Sequence, residues 1–169
     1  MTTTPLRIGV LVGSTTPPDQ VIRSTLGAQS LESALEEWTG QPVEVTLVSW
    51  LAPTTLGGQQ RRAVADLRPG RLDRLLQKLG AGSLYQFLSR TPPGRLLNSL
   101  GPLDQSRVFW RAISSDSPYV EALEATDLLI AVDLPAVRTA WAVLRRGKVS
   151  GAFYGLGGTR RAFKDRYQH

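Results

Sequence analysis

The sequence predicts an α/β domain of the Rossmann-like three-layer type, in which a mostly parallel sheet carries helices on both faces. Two observations predict this fold. Short apolar segments alternate with helical patterns along the 169-residue chain, an order typical of strands joined by crossover helices. The clearest unit is the apolar run Leu128 to Val132. Asp133 ends this run, and a helix that begins near Pro135 follows directly. An apolar strand that leads directly into a helix is typical of a parallel sheet.

The first part of the chain predicts two strands and the helix between them. Leu6 to Gly13 is an apolar run that ends in a Gly-Ser-Thr-Thr turn, and it predicts the first, central strand. Asp19 is the expected N-cap of a helix from about Gln20 to Trp38, and Gly40 is its expected C-cap. Val43 to Leu51 alternates and is rich in β-branched residues, which predicts the second strand.

A long helical insertion is predicted after the second strand, over about residues 52–126. Its helical patterns cover about 59–79, 83–90, 105–114 and 117–125. The first pattern contains Arg68-Pro69-Gly70, which we expect to divide it into two helices. The sequence shows no internal repeat. From its length of 169 residues, the chain is predicted to form one domain, residues 1–169, that includes this insertion.

The last part of the chain predicts another strand and a terminal helix. Val149 to Tyr154 is apolar and ends in the turn Gly155-Leu156-Gly157-Gly158, after which Thr159 leads into a basic helix. In the helix after Asp133, Val137, Trp141 and Leu144 recur at helical spacing and are predicted to form its apolar stripe. All four tryptophans are predicted to pack in the core rather than against a ligand.

The residue types exclude several chemistries. The chain has no cysteine and a single histidine, His169, which argues against zinc catalysis, thiolate nucleophiles and Ser-His or Cys-His triads. Acid–base chemistry would have to come from carboxylates, tyrosine or lysine. No apolar run approaches the roughly 20 residues of a membrane span, and the opening residues lack the features of a signal peptide. We therefore expect a cytoplasmic protein without a transmembrane segment.

The charge balance points to anionic partners. The net charge is +6, and most of the basic residues are arginines, which suit bidentate contacts to carboxylate or phosphate. The alternative explanation for the excess of arginine is a GC-rich gene, which favours arginine codons without any functional cause. The basic residues from Arg61 to Lys78 could hold an acidic lipid surface, a protein or nucleic acid, but such charges around a leucine stripe usually form a solvated helix face. Because no aromatic residue lies among them, nucleic acid is not the expected partner.

Two glycine-containing turns are candidate anion sites, because each follows a predicted strand and leads into a helix. The first is Gly13-Ser14-Thr15-Thr16, which fits neither the dinucleotide nor the P-loop pattern and has an ordinary turn as its alternative. The second comprises Gly155, Gly157 and Gly158 with Arg160 and Arg161, whose two guanidiniums could neutralise a phosphate.

Asp133 is the candidate catalytic residue, because it follows a predicted central strand, where ligands of parallel sheets collect. It could bind a sugar hydroxyl or act as a base. The alternative is structural, since an aspartate before Pro135 is a favourable N-cap for the helix that follows. The two roles are compatible.

The opening RIGVLVGSTTPP resembles the start of NAD(P)H-dependent flavin reductases of the flavodoxin-like fold. In that family a similar strand and loop bind the flavin phosphate. The resemblance implies a flavin- or nucleotide-binding oxidoreductase, with Ser14 and Thr15 as phosphate contacts.

A second resemblance spans more of the chain. VEVTLVSW, the long helical region and ATDLLIAVDLPAVRTAWAVLRRG together resemble the acceptor-side, N-terminal half of B-fold glycosyltransferases. The resemblance implies that Asp133 and the turn from Gly13 to Thr16 face the cleft of such an enzyme. It implies binding of an anionic or lipid-linked sugar, with a donor-half transferase subunit as partner. A non-catalytic binding or scaffold domain is the third interpretation.

Overall fold

The computed structural model describes residues 4–51, 104–115 and 117–167. These residues form four strands, β1 (Leu6–Val12), β2 (Val43–Ser49), β3 (Leu128–Ala131) and β4 (Gly151–Tyr154). Their helices are α1 (Pro18–Leu26), α2 (Leu31–Thr39), α3 (Gln105–Ser114), α4 (Ser117–Glu124), α5 (Leu134–Leu144) and α6 (Leu156–Tyr167).

The four strands form one sheet in the order β2-β1-β3-β4, and every neighbouring pair is parallel. In the register, Ile8 of β1 lies between Val45 of β2 and Leu128 of β3, and Leu128 pairs with Gly151 of β4. The predicted α/β class with a parallel, Rossmann-like sheet is therefore confirmed.

Helices cover both faces of the sheet and produce two apolar layers. On one face α1, α2 and α6 pack on the sheet through a layer that includes Ile8, Val10, Ile22, Leu35, Trp38 and Phe163. On the other face α3, α4 and α5 pack through a layer that includes Leu11, Phe109, Ile113, Leu129, Ala136 and Val143. The alternation of side chains along each strand sends neighbouring residues to opposite layers, as Val10 and Leu11 show.

The region predicted as one helix after β1 is two helices, and Asp19 is not its cap. Gly27 ends α1 with a φ of 63°, and Ser30 then caps α2 by accepting a hydrogen bond from the Ser33 N–H at 3.1 Å. The left-handed backbone at Gly27 is incompatible with a continuous helix. Pro17 occupies the N-cap of α1, and Asp19 lies buried in its first turn.

The end of the predicted helical insertion agrees with the structure, because α3 and α4 occupy the expected positions. Asp104 caps α3 through the N–H groups of Ser106 and Arg107. The patterns predicted within residues 52–103, including the basic residues from Arg61 to Lys78, lie outside the described residues. The insertion as a whole therefore stays a prediction. Within the described ranges, no helix has both the length and the apolar character needed to cross a membrane.

An ion pair at the amino edge of the sheet joins β1 to the residue before β3. Arg7 Nη2 donates to Asp127 Oδ1 at 3.0 Å, and the Arg7 backbone N–H donates to Asp127 Oδ2 at 2.8 Å. The hydrogen bond from the Arg7 side chain is the main cause that lowers the pKa of the Asp127 carboxyl, and partial burial opposes it. This pair lies at the edge of the sheet opposite the candidate site.

Candidate ligand-binding site at the carboxyl edge of the sheet

The candidate site lies where the carboxyl ends of the four parallel strands meet. The strand order reverses direction between β1 and β3, because β2 lies on one side of β1 and β3 lies on the other. The chain leaves β1 towards α1 on one face and leaves β3 towards α5 on the opposite face. This is the topological switch point at which parallel sheets form a ligand crevice. Sequence prediction placed Gly13 and Asp133 at this edge, and the structure brings them into contact.

The Asp133 carboxylate bridges the switch point. Its Oδ1 accepts hydrogen bonds from the N–H groups of Gly13 at 3.0 Å and Ala136 at 3.1 Å. Its Oδ2 accepts one from the Ser14 N–H at 2.9 Å. Asp133 is thus the N-cap of α5, as its structural alternative predicted. It also fastens the turn after β1 to the turn after β3.

Gly13 is required by the close approach of these two turns. A Cβ atom at Gly13 would lie 2.7 Å from both Ala136 N and the carbonyl carbon of Pro135. The carbonyl oxygen of Gly13 accepts a hydrogen bond from Trp50 Nε1 at 2.9 Å. The Gly13 peptide is therefore held from both sides, by Asp133 and by Trp50.

The first turn predicted to bind an anion already binds a carboxylate of the protein itself, that of Asp133. The N–H groups of Gly13 and Ser14 donate to Asp133, and the side chains of Thr15 and Thr16 are exposed. Ser14 Oγ is buried and makes no hydrogen bond among the described residues. The N–H groups of Gly13 and Ser14 are therefore committed to Asp133, and the exposed side chains of this turn are those of Thr15 and Thr16.

Both carboxylate oxygens of Asp133 are occupied by strong donors. The Asp133 carboxylate therefore holds the turn after β1 against the start of α5.

The second predicted turn has a different environment. Gly155 has a φ of 68°, and its N–H donates to Ala131 O at 2.8 Å, which places the turn beside the end of β3. The first N–H of α6 to bond within the helix is that of Thr159, which donates to Gly155 O at 3.0 Å. The N–H groups of Leu156, Gly157 and Gly158 precede it and have no acceptor within the helix.

This helix end is open to ligand. Gly157 and Gly158 are exposed, and a Cβ atom added at either would meet no atom within 4 Å. Arg160 is exposed on the following turn. Free N–H groups at a helix N-terminus with a nearby guanidinium favour an anion. Among the described residues, no group of three or more histidine, cysteine or carboxylate side chains could hold a metal ion.

The role of Trp50 was not predicted, and the environment of Trp141 differs from the predicted one. Trp50 packs on Phe109 with a ring separation of 5.5 Å, as expected for a core residue, but its indole N–H also anchors Gly13. The position of Trp50 just after a strand end was the available signal, because a partly buried indole N–H needs an acceptor. Trp141 is 56% exposed, so the prediction that it packs in the core is wrong.

Two residues of the apolar stripe predicted for α5, Val137 and Trp141, face outward because smaller residues face the sheet, whereas Leu144 packs against the apolar layer as predicted. The buried side of α5 is formed by Ala136, Thr139, Ala140 and Val143. These small side chains let the helix lie close to β3, while Val137 and Trp141 of the predicted stripe are exposed.

Comparisons with known proteins return no relative from which a function could be transferred. No protein-family model matches the chain, and neither curated proteins nor solved structures give a match.

Proposed function

We propose that this domain is the acceptor-binding half of a two-part glycosyltransferase, which holds an anionic or lipid-linked sugar while a partner chain binds the nucleotide-sugar donor. The observation that carries the proposal is the open N-terminus of α6 at the carboxyl edge of the sheet. Gly155, which precedes this helix, donates its N–H to the carbonyl oxygen of Ala131 at the end of β3, two residues before Asp133.

The phosphate of the acceptor would bind at the start of α6. The N–H groups of Leu156, Gly157 and Gly158 supply donors, and the partial positive charge of the helix end favours a negative group. Arg160 adds a full positive charge one turn along. Since these donors are mostly backbone groups, they recognise phosphate without selecting a particular sugar.

The sugar ring would then extend towards the switch point. The exposed hydroxyl side chains of Thr15 and Thr16 belong to the turn at this point, and a hydroxyl can both donate to and accept from a sugar hydroxyl. Asp133 holds the start of this turn in place through the Ser14 backbone N–H. The site thus combines an anion end with a hydroxyl-binding end.

The test is sugar transfer that depends on two chains. Candidate nucleotide-sugar-binding chains are co-expressed with this domain. Transfer of the sugar from a labelled nucleotide sugar to a lipid-linked sugar phosphate is then measured. We expect co-purification and transfer with one such chain, and loss of transfer with Gly158→Asp, which puts a carboxylate at the anion end. Gly158→Ala is the matched control and should keep transfer. Absence of association and transfer with every candidate chain would refute the proposal.

Flavin binding is the competing outcome of the same test series. A flavin phosphate at the first turn would need the N–H groups of Gly13 and Ser14, which donate to Asp133 in the structure. It would therefore have to displace the Asp133 carboxylate. Purified protein that carries flavin absorbance would favour the oxidoreductase over the transferase.

A further inference from the structure

We propose that the outward face of α5 docks on an anionic lipid surface. The proposal rests on this surface alone and does not depend on sugar transfer. Large apolar side chains are unusually exposed here: Leu134 is 71% exposed, Val137 38% and Trp141 56%. Their spacing of three and then four residues puts them on one side of the helix.

Positive charge accompanies these apolar residues. Arg138 and Arg145 are exposed and lie four and eleven residues after Leu134, which places them on the same side of α5. The Arg145 guanidinium lies 4.9 Å from the centre of the Trp141 ring. The sequence of α5 contains no acidic residue. We call Leu134, Val137, Arg138, Trp141 and Arg145 the α5 patch.

Tyr154 extends the α5 patch at its N-terminal end. Tyr154 is the last residue of β4 and is exposed, and it pairs in register with Ala131, the last residue of β3. Ala152, two residues earlier, packs in the layer beneath α5. Because alternate residues of a strand point to the same face, Tyr154 lies on the face that α5 covers.

The composition and shape of the α5 patch select a lipid surface as its occupant. The apolar side chains project outward from a helix surface, so they can enter the boundary between headgroups and acyl chains. Tryptophan and tyrosine favour this boundary, and arginine can keep its charge among the headgroups while its stem lies on apolar surface. Two arginines without an acid on the helix make the attraction specific for anionic lipid.

Two other basic residues nearby share one carboxylate. Arg146 Nη1 and Lys148 Nζ donate to Glu124 at 3.0 and 2.6 Å, and these bonds lower the pKa of the Glu124 carboxyl. The Arg146 guanidinium also lies over the Trp110 ring at 5.7 Å. The positive charge of the α5 patch itself comes from Arg138 and Arg145.

Docking through the α5 patch would place the candidate site near the bilayer. Leu134 directly follows Asp133, so the apolar end of the patch adjoins the carboxyl edge of the sheet. A lipid-linked ligand could then reach the site without leaving the membrane surface.

The experiment is vesicle flotation of the full chain. Vesicles contain phosphatidylcholine alone, or phosphatidylcholine with phosphatidylglycerol at about two to one, which supplies the anionic surface. We expect wild type to float with the anionic vesicles only. Arg138→Gln/Arg145→Gln should weaken binding roughly 10- to 30-fold, and Leu134→Ser/Trp141→Ala should abolish flotation. Brominated lipids should quench the tryptophan fluorescence of the wild type more than that of the Trp141→Phe variant.

The control removes equal charge from another surface. Lys164→Gln/Arg166→Gln lies on α6, on the other face of the sheet, and should keep flotation within about twofold of wild type. Thermal unfolding checks that each variant is folded. Three results would each overturn the proposal: no flotation of wild type, equal loss in the α6 control, or a dimer in light scattering that Leu134→Ser/Trp141→Ala separates into monomers.

Discussion

The Gly13 N–H donates to the Asp133 carboxylate at 3.0 Å across 120 positions of sequence. The same carboxylate accepts from Ser14 on the first turn and from Ala136 at the start of α5. One side chain therefore joins the two turns that diverge at the switch point, and it fixes the wall of the candidate site before any ligand arrives.

Asp133→Ala should lower the free energy of unfolding by about 2–4 kcal/mol, because three backbone N–H groups lose a charged acceptor. Asp104→Ala is the matched control, since the bonds that Asp104 makes with other described residues lie within the first turn of α3, and its loss should cost about 1 kcal/mol. Urea denaturation measures both. Equal losses in the two variants would show that the bridge to the first turn contributes no stability.

Gly13→Ala should destabilise the protein by about 1–3 kcal/mol, because its Cβ would overlap backbone atoms that cannot rotate away. Gly157→Ala serves as the comparison: its Cβ has open space, and the gain in helix propensity should stabilise the protein by up to about 1 kcal/mol. Chemical denaturation should show that the two variants change the free energy of unfolding in opposite directions. A neutral Gly13→Ala would contradict the close approach of the two turns.

The Arg7–Asp127 pair should contribute to stability above about pH 4, near the pKa of an unperturbed aspartate. The hydrogen bond from Arg7 lowers the pKa of Asp127 in the folded protein, so the unfolded chain binds a proton first as the pH falls. The contribution is therefore present above the unfolded pKa and is lost as the pH falls through the folded pKa.

Denaturation at a series of pH values checks this assignment. Asp127→Asn should be less stable than wild type near neutral pH, and the difference should shrink in acid. Asp165→Asn, on an exposed position of α6, controls for the change in net charge. A difference for Asp127→Asn that stays constant down to pH values well below 4 would show that ionisation of this carboxyl does not stabilise the fold.

Two leucines should respond in opposite ways to the same truncation. Leu129 of β3 is fully buried, so Leu129→Ala should cost about 2–5 kcal/mol. Leu134 of α5 projects into solvent, so Leu134→Ala should change stability by less than about 0.5 kcal/mol. Thermal or urea unfolding measures the pair. A large loss in Leu134→Ala would mean that this side chain packs against other protein atoms.

The parallel sheet could be predicted because its signals are local. The apolar run of β3 ends at an aspartate and a proline, which mark the strand end and the helix start within a few residues. α3 and α4 likewise begin near the residues that the sequence indicated. Candidate residues at strand ends follow from the same logic, because parallel strands bring their carboxyl ends to one edge.

Features that depend on residues far apart could not be predicted. Nothing near Asp133 in the sequence indicates that its carboxylate accepts from Gly13 and Ser14. The break at Gly27 depends on a left-handed backbone, whereas the surrounding hydrophobic pattern continues as if the helix were unbroken. The exposure of Trp141 reflects which side of an apolar helix packs on the sheet, and α5 is apolar on more than one side.

The most direct test of the central claim is a nitrogen-15 amide NMR titration with glucose 1-phosphate. If the carboxyl edge binds an anionic sugar at the start of α6, the amide signals of Leu156, Gly157 and Gly158 should shift together and saturate. Gly158→Asp should weaken the apparent affinity at least about tenfold, while Gly158→Ala should not. Unchanged signals at these positions, or equal binding by Gly158→Asp, would contradict the claim.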